Sequence, residues 1–154
     1  MKARNSKTPK TPKINPKAAR YDLRVGPSSL HRYGVFALED IPRGHRVIEY
    51  TGKHLTFEQV WNIQAPKDVY IAKMNGRWFL DGSSGGSGAQ FVNHSCDPNM
   101  SWRCVRNRLL FFSRRKIHAG EELTVDYCYP VKLQRVACHC GARRCRGTFR
   151  YILN

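Results

Sequence analysis

From residue 21 the chain alternates short apolar runs with turn signals. "YDLRVGPSSLHRYGVFALEDIPRGHRVIEYTG" is broken at Gly26-Pro27, Arg32-Tyr33-Gly34, Pro42-Arg43-Gly44 and Gly52, a rhythm that predicts short strands. "TFEQVWNI", residues 56–63, puts Phe57, Val60 and Trp61 on one helical face behind Thr56 as N-cap. That predicts about two turns of helix before Pro66. "VYIAKM" and "RWFLDG" flank Asn75-Gly76, a hairpin signal that places Tyr70 and Trp78 on paired strands. "SSGGSG", residues 83–88, carries no pattern and reads as a flexible loop. "WRCVRNRLLFFSRRKI" predicts two more strands around Asn107, and "EELTVDYCY" a last one ending at Pro130. There is no internal repeat. The expected class is mostly β with short helices (α+β).

At 154 residues, 41% of them hydrophobic, the chain is expected to form one domain with a real core. Its apolar runs fall far short of the roughly 20 residues that span a bilayer, and no signal-peptide centre is visible. The expectation is a soluble, intracellular protein with no membrane partner. Charge changes this picture most. Lys and Arg number 27 against 11 Asp and Glu, a formal net charge of +16. Residues 1–20 carry Lys2, Arg4, Lys7, Lys10, Lys13, Lys17 and Arg20, three prolines and no acid. They read as a disordered basic arm, suited to a nucleic-acid or acidic contact through counterion release or serving only as a solubilising tail.

Six cysteines (96, 104, 128, 138, 140 and 145) in a chain without a signal peptide point to bound metal rather than to disulfides. "CHCGARRC" sets Cys138, Cys140 and Cys145 in a Cys-x-Cys-x4-Cys array with Gly141 at the turn. Three thiolates within eight residues supply most of a tetrahedral zinc site. The fourth ligand is open among Cys96, Cys104, Cys128 and a distant histidine, since His139 between two ligands would point away. A structural zinc contributes on the order of 10 kcal/mol, enough to order such a tail. "FVNHSCDPN", residues 91–99, brings His94 and Cys96 together as a nucleophile with its base, half of a metal site, or a polar turn.

Four segments in order, "SSLHRYGVFALEDIPRGHRVIEYTG", "QFVNHSCDPN", "GEELTVDY" and "CHCGARRCRG", resemble the SET-domain protein lysine methyltransferases with a post-SET zinc segment. The resemblance covers roughly residues 22–154. It implies a SET β-fold with knot-like C-terminal threading and a small zinc-bound tail, divided as a disordered arm (1–20), a SET catalytic domain (21–130) and a post-SET segment (131–154). It further implies S-adenosylmethionine as methyl donor, contacted by His31, Arg32, Tyr33, Gly34, Tyr70, Asn93, His94, His139 and Phe149. Cys96 becomes the fourth zinc ligand beside Cys138, Cys140 and Cys145. Tyr127 and Tyr70 become the catalytic residues, with Tyr129 and Trp78 as candidates for the lysine channel wall. The chain departs from the family pattern at Arg32, where many members have glycine, and at Val125, where many have Phe or Tyr.

The implied function is methylation of lysine on a basic protein such as a histone tail, in the nucleus of a eukaryote or otherwise in cytoplasm or nucleoid. Two other classes stay open on the residues. One is a non-enzymatic zinc-dependent chromatin or nucleic-acid module, and the other a cysteine hydrolase built on Cys96 and His94.

Overall fold

The computed structural model describes residues 11–63, 70–127 and 135–150. Its elements are short strands in four sheets with one brief α-helix. In the first sheet, β1 (Leu23–Pro27) and β2 (Tyr33–Ala37) form a hairpin. The strand β10 (Glu122–Val125) pairs antiparallel with β2 on one side and parallel with β7 (Asn93–His94) on the other. These last two are the segments that the expected threading concerns.

The second sheet runs β3 (Arg46–Tyr50), β9 (Arg108–Ser113), β8 (Met100–Val105). Its β8–β9 turn is made by Arg106 and Asn107, with φ of 48° and 58°, the paired left-handed residues that a two-residue hairpin of matching twist requires. Alternation along β9 sends Leu109 and Phe111 into the main core, which they share with Val35, Ile41, Val47, Ile48, Met100, Ile117 and Leu123. A third sheet, β4 (Lys53–Thr56), β6 (Trp78–Asp81), β5 (Ile71–Lys73), builds a smaller core of Leu55, Val60, Ile71 and Phe79. The Asn75-Gly76 hairpin forms as expected, with Tyr70 one residue ahead of β5.

The helix α1 (Phe57–Trp61) starts where the sequence placed it. Thr56 accepts from the Gln59 amide while the Gln59 side chain accepts from the Thr56 amide, a reciprocal cap. Its expected apolar face is corrected, however. Five residues are too few for three to face one core, so only Val60 is buried while Phe57 and Trp61 stack on each other in solvent.

Two further expectations change. The "SSGGSG" stretch is exposed over residues 83–85 but packed at its end: Ser87 is fully buried, its hydroxyl donates to Glu49 O at 2.6 Å, and its carbonyl accepts from Asn15 N at 2.8 Å. Gly88 has φ of 100°, and a Cβ there would sit 2.6 Å from Ile14 Cδ1. The partner is the supposed arm. Residues 14–20 are ordered, with Ala18 buried, Ala19 bridging Ile48 and Arg20 N donating to Val47 O. Backbone groups on the free edge of β3 take up this segment, and Ile14, Ala18 and Ala19 supply its apolar contacts. Residues 1–10, the remainder of the expected arm, lie outside the described residues, as do Cys128 and Tyr129. No helix among the described residues is long and apolar enough to cross a membrane.

The β1–β2 turn holds Arg32 at φ of 34°, where a side chain crowds its own backbone and glycine does not. Ser28 N closes this turn onto Arg32 O at 3.1 Å. Comparing Arg32→Gly with Arg32→Ala removes the arginine side chain from both proteins and isolates the backbone cost. The glycine variant is expected to be the more stable by about 1 kcal/mol, read as a shift in urea midpoint, and equal midpoints would contradict a strained turn.

Candidate active site and metal centre

The segment 93–96 is extended at Asn93 and His94, whose side chains point to opposite sides, and bends at Cys96. Asn93 reaches the β1–β2 turn. Its Nδ2 donates to Tyr33 O at 2.9 Å and Glu122 Oε1 at 2.7 Å, with His31 O and Ser28 Oγ at 3.3 and 3.2 Å. Ser28 Oγ in turn donates to the Glu122 carboxylate and accepts the Leu30 amide. Glu122 packs so closely over Gly34 that a Cβ at Gly34 would lie 2.2 Å from Oε1. One buried amide therefore fixes the loop that carries His31, Arg32 and Tyr33, whose first two side chains stay exposed.

His94 turns the other way. Its Nδ1 accepts the Tyr127 amide at 3.0 Å, which leaves the ring proton of the neutral form on Nε2, 3.3 Å from Cys96 Sγ. Burial holds the His94 pKa below the usual histidine value, with Asp126 raising it and Arg146 lowering it. The ring stacks on Phe149 at 4.6 Å and meets Tyr127 at 5.4 Å, while Tyr127 and Phe149 meet edge to face at 5.8 Å. The Tyr127 hydroxyl donates to Val92 O at 2.5 Å. A second aromatic group centres on Phe91, which takes Tyr70 edge-on at 5.3 Å and Tyr33 at 6.0 Å. Tyr70 is fixed through its carbonyl, which accepts from Tyr50 OH at 2.5 Å and Gly82 N at 2.8 Å.

Cys96 joins the tail. Strands β11 (Arg135–Ala137) and β12 (Thr148–Arg150) form a ribbon around the cysteine-rich loop. Cys96 Sγ lies 3.7 Å from Cys138 Sγ and 4.0 Å from Cys145 Sγ, and Cys140 Sγ accepts the Cys96 amide at 3.4 Å. The Arg146 and Gly147 amides donate to Cys96 Sγ and Cys145 Sγ at 3.4 Å each. Backbone donors aimed at sulfur favour thiolates. Burial pushes the Cys138 thiol up to about 12. At Cys140 burial acts in the same sense, but donors from the Cys96 and Ala142 amides and the neighbouring thiols outweigh it and bring the group down to about 6. Sulfurs about 2.3 Å from a tetrahedral metal ion lie about 3.8 Å apart, so the measured separations fit a metal site. Atoms of His94, Cys96, Cys138 and Cys140 fall within 4.8 Å of one another; the Nε2 proton makes His94 a donor to Cys96, and Cys145 Sγ, 4.0 Å from Cys96 Sγ, offers a further sulfur. The contact expected of a Cys–His dyad is thus an N–H···S bond at the rim of a thiol cluster.

Of the expected site residues, Asn93, His94, Tyr127, Phe149 and the four cysteines converge, Tyr33 and Tyr70 meet at Phe91, and Gly34 lies under Glu122. His139 is exposed between two of the cysteines. Cys104 sits on β8 opposite Leu109, away from the other cysteines. Trp78 meets His54 on an exposed edge, not the aromatic groups proposed for the channel. Four contributors were missed. Phe91, two residues before Asn93, joins Tyr33 to Tyr70. Glu122 anchors Asn93. Asp126 and Arg146 form a two-pronged ion pair at 2.9 and 2.6 Å that ties the residue before Tyr127 to the residue after Cys145. Their signal was position: each adjoins a motif residue.

The fold has counterparts among known proteins. The chain is 35% identical over 141 residues to the histone-lysine N-methyltransferase, H3 lysine-4 specific, of Schizosaccharomyces pombe, spanning 85% of this chain but only 15% of that protein. The methyltransferase domain of human histone-lysine N-methyltransferase SETMAR superposes with a TM-score of 0.75 at 27% identity, over 90% of this chain and 61% of that one. KRYPTONITE, in complex with mCHH DNA, H3(1-15) peptide and SAH, gives 0.72 at 30% identity, over 88% and 31%. Residues 32–128 match the SET domain, and on that match, carried by a mostly β fold shared with these structures, the chain belongs to the SET domain family.

Proposed function

We propose that this chain transfers methyl groups from S-adenosylmethionine to lysine side chains of a basic protein, a histone or another chromosomal protein, and that Cys96, Cys138, Cys140 and Cys145 hold a structural zinc. The observation that carries the reading is the segment 93–96. Within four residues it reaches the β1–β2 turn through Asn93, the Tyr127 strand through His94, and the thiol cluster through Cys96. In a cell with a nucleus the chain would act there.

S-adenosylmethionine supplies a methyl group on a positively charged sulfonium. It is an amino acid joined to a purine nucleoside, and the residues suit both halves: carbonyls and an amide around Asn93 for the zwitterion, and aromatic surface at Tyr33 and Phe149 for the base. The remaining work falls to the side chains. A free lysine has a pKa of about 10.4 and must arrive uncharged. An apolar passage disfavours the ammonium form, which Tyr70, Phe91 and Tyr127 would provide. Tyr127 and Tyr70 would align the amine for in-line displacement, with the Tyr127 hydroxyl held in place through Val92 O. Val125, two residues before Tyr127 and buried, offers no hydroxyl to compete with it.

Tyr127→Phe is expected to lower methyl transfer to a histone mixture by about 10²-fold, while calorimetric affinity for S-adenosylmethionine changes little. Unchanged turnover would remove Tyr127 from the mechanism. If the wild-type, zinc-loaded protein bound no S-adenosylmethionine, a non-enzymatic module would be the better reading.

Elemental analysis should find one zinc per chain, and Cys96→Ser should lose it, raise hydrogen exchange over residues 135–150 and weaken donor binding. Retention of zinc at full occupancy would exclude Cys96 as a ligand. Arg146→Ala is expected to keep the metal yet loosen the tail. A double-mutant cycle with Asp126→Ala should give a coupling of about 0.5–1 kcal/mol for this partly exposed pair, and a coupling near zero would show that the pair does not hold the tail.

A further inference from the structure

The outer face of the β3–β9–β8 sheet carries a charge arrangement that methyl transfer does not use. Register puts Arg46 opposite Phe112, and both Glu49 and Arg103 opposite Leu110. These side chains therefore share the face turned away from Leu109 and Phe111. Arg103 lies over the Phe112 ring at 5.1 Å. Arg108 grips Glu49 in a fork, Nε to Oε1 at 2.9 Å and Nη2 to Oε2. Residues 18–20, running along the edge of β3, bring Arg20 near Arg46. Four guanidiniums thus share this face with a single carboxylate, Glu49, which Arg108 already grips and Arg46 adjoins.

In isolation this arrangement is unfavourable. Arg46 Nε is buried without a hydrogen-bond partner among the described residues. Burial, then Arg108 and Arg20, push the Arg46 pKa down against the pull of Glu49. Like charges held on a rigid sheet are relieved by an anion lying across them, and guanidinium forks match phosphate oxygens in pairs. A long polyanion fits better than a single ion, because Arg20 continues in sequence into Lys17, Lys13, Lys10 and Lys7 with no acid between. The substrate class adds a second argument, which rests on the methyltransferase reading. A chain of charge +16 repels a basic protein, and a duplex lying between them, with one charge per about 1.7 Å, removes that repulsion.

We propose that this arginine face binds the phosphate backbone of duplex DNA without sequence preference, and that the enzyme meets its basic protein substrate on DNA. The test uses the full, metal-loaded chain and a fluorescent duplex of about 20 base pairs, titrated between about 50 and 200 mM salt. Arg20→Gln with Arg103→Gln removes two exposed charges from the face. Lys53→Gln with Arg77→Gln removes two from the β4–β6–β5 sheet.

The first pair should weaken binding about five- to tenfold near 0.1 M salt and flatten the slope of log K against log salt by about 2. The second should change affinity less than about twofold. Equal losses from both pairs would overturn the proposal, as would no loss from the first, or displacement of the duplex by polyglutamate at equal charge. Methyl transfer to a free basic peptide should be the same in the first pair and wild type, while transfer to the same protein bound to DNA falls. A wild type that binds DNA as described yet methylates nothing would sink the catalytic reading and leave the DNA face standing.

Discussion

The parallel pairing of β7 with β10 is the contact on which the site depends. Thr124 lies opposite Asn93 and Val125 opposite His94, and the register is locked beyond the strand end by Asn99. Its side chain donates to Glu122 O at 2.8 Å and accepts from Thr124 N at 2.9 Å, while its own amide reaches Thr124 Oγ1. Every group in this lock is buried or half-buried, where an unmet backbone donor or acceptor costs about 1–3 kcal/mol. Two segments some thirty residues apart are thereby held in one register, and Glu122, Asp126 and Tyr127 take their places relative to Asn93 and His94 from it.

The thiol cluster extends this lock to the tail. Val136 and Phe149 face each other on a two-stranded ribbon, and such a ribbon alone has little core to hold it. Its order comes from outside: Cys96 among the tail sulfurs, Arg146 on Asp126, and Phe149 on His94. All three anchors rest on residues of the 93–96 segment or of the strand beside it, so the tail docks where the site is built. Opening the thiol cluster would therefore free Phe149 from His94, and with it one wall of the site.

Much of this was legible in the sequence because short-range chemistry carried it. The Thr56 cap, the Asn75-Gly76 hairpin, the turn at Asn107 and the cysteine spacing all depend on neighbours within a few residues, whereas the Asn93-His94-Cys96 segment, whose partners lie 33 to 60 residues away, was legible only through the resemblance of four motifs in order. The misreadings have a common cause in contacts between distant segments. Composition cannot separate a loose "SSGGSG" from one whose end packs against Ile14 and Asn15, because the deciding partners lie some seventy residues earlier. The basic arm looked unable to order itself, and it does not do so alone; the open edge of β3 orders residues 14–20. Phe57 and Trp61 matched a helical period, but the helix ended before that period could count. Arg146 and Glu122 were invisible as site residues because an exposed-type charge gives no sign of its partner until the fold supplies one.

Strand geometry explains why so few residues serve two centres. Asn93 and His94 are extended, so their side chains take opposite sides, and the bend at Cys96 leaves its sulfur 3.3 Å from His94 Nε2. A slip of one residue would turn Asn93 toward the sulfurs and His94 toward the β1–β2 turn, exchanging every partner at once. The register fixed by Asn99 therefore sets the division between the turn and the tail, and no residue of the segment can be moved for one side alone. Arg32 shows the tolerance at the margin: a strained, exposed residue can be carried at this turn because Asn93 holds the carbonyls on either side of it, His31 O and Tyr33 O, from beneath. The turn keeps its position through the buried amide rather than through the ease of its own backbone.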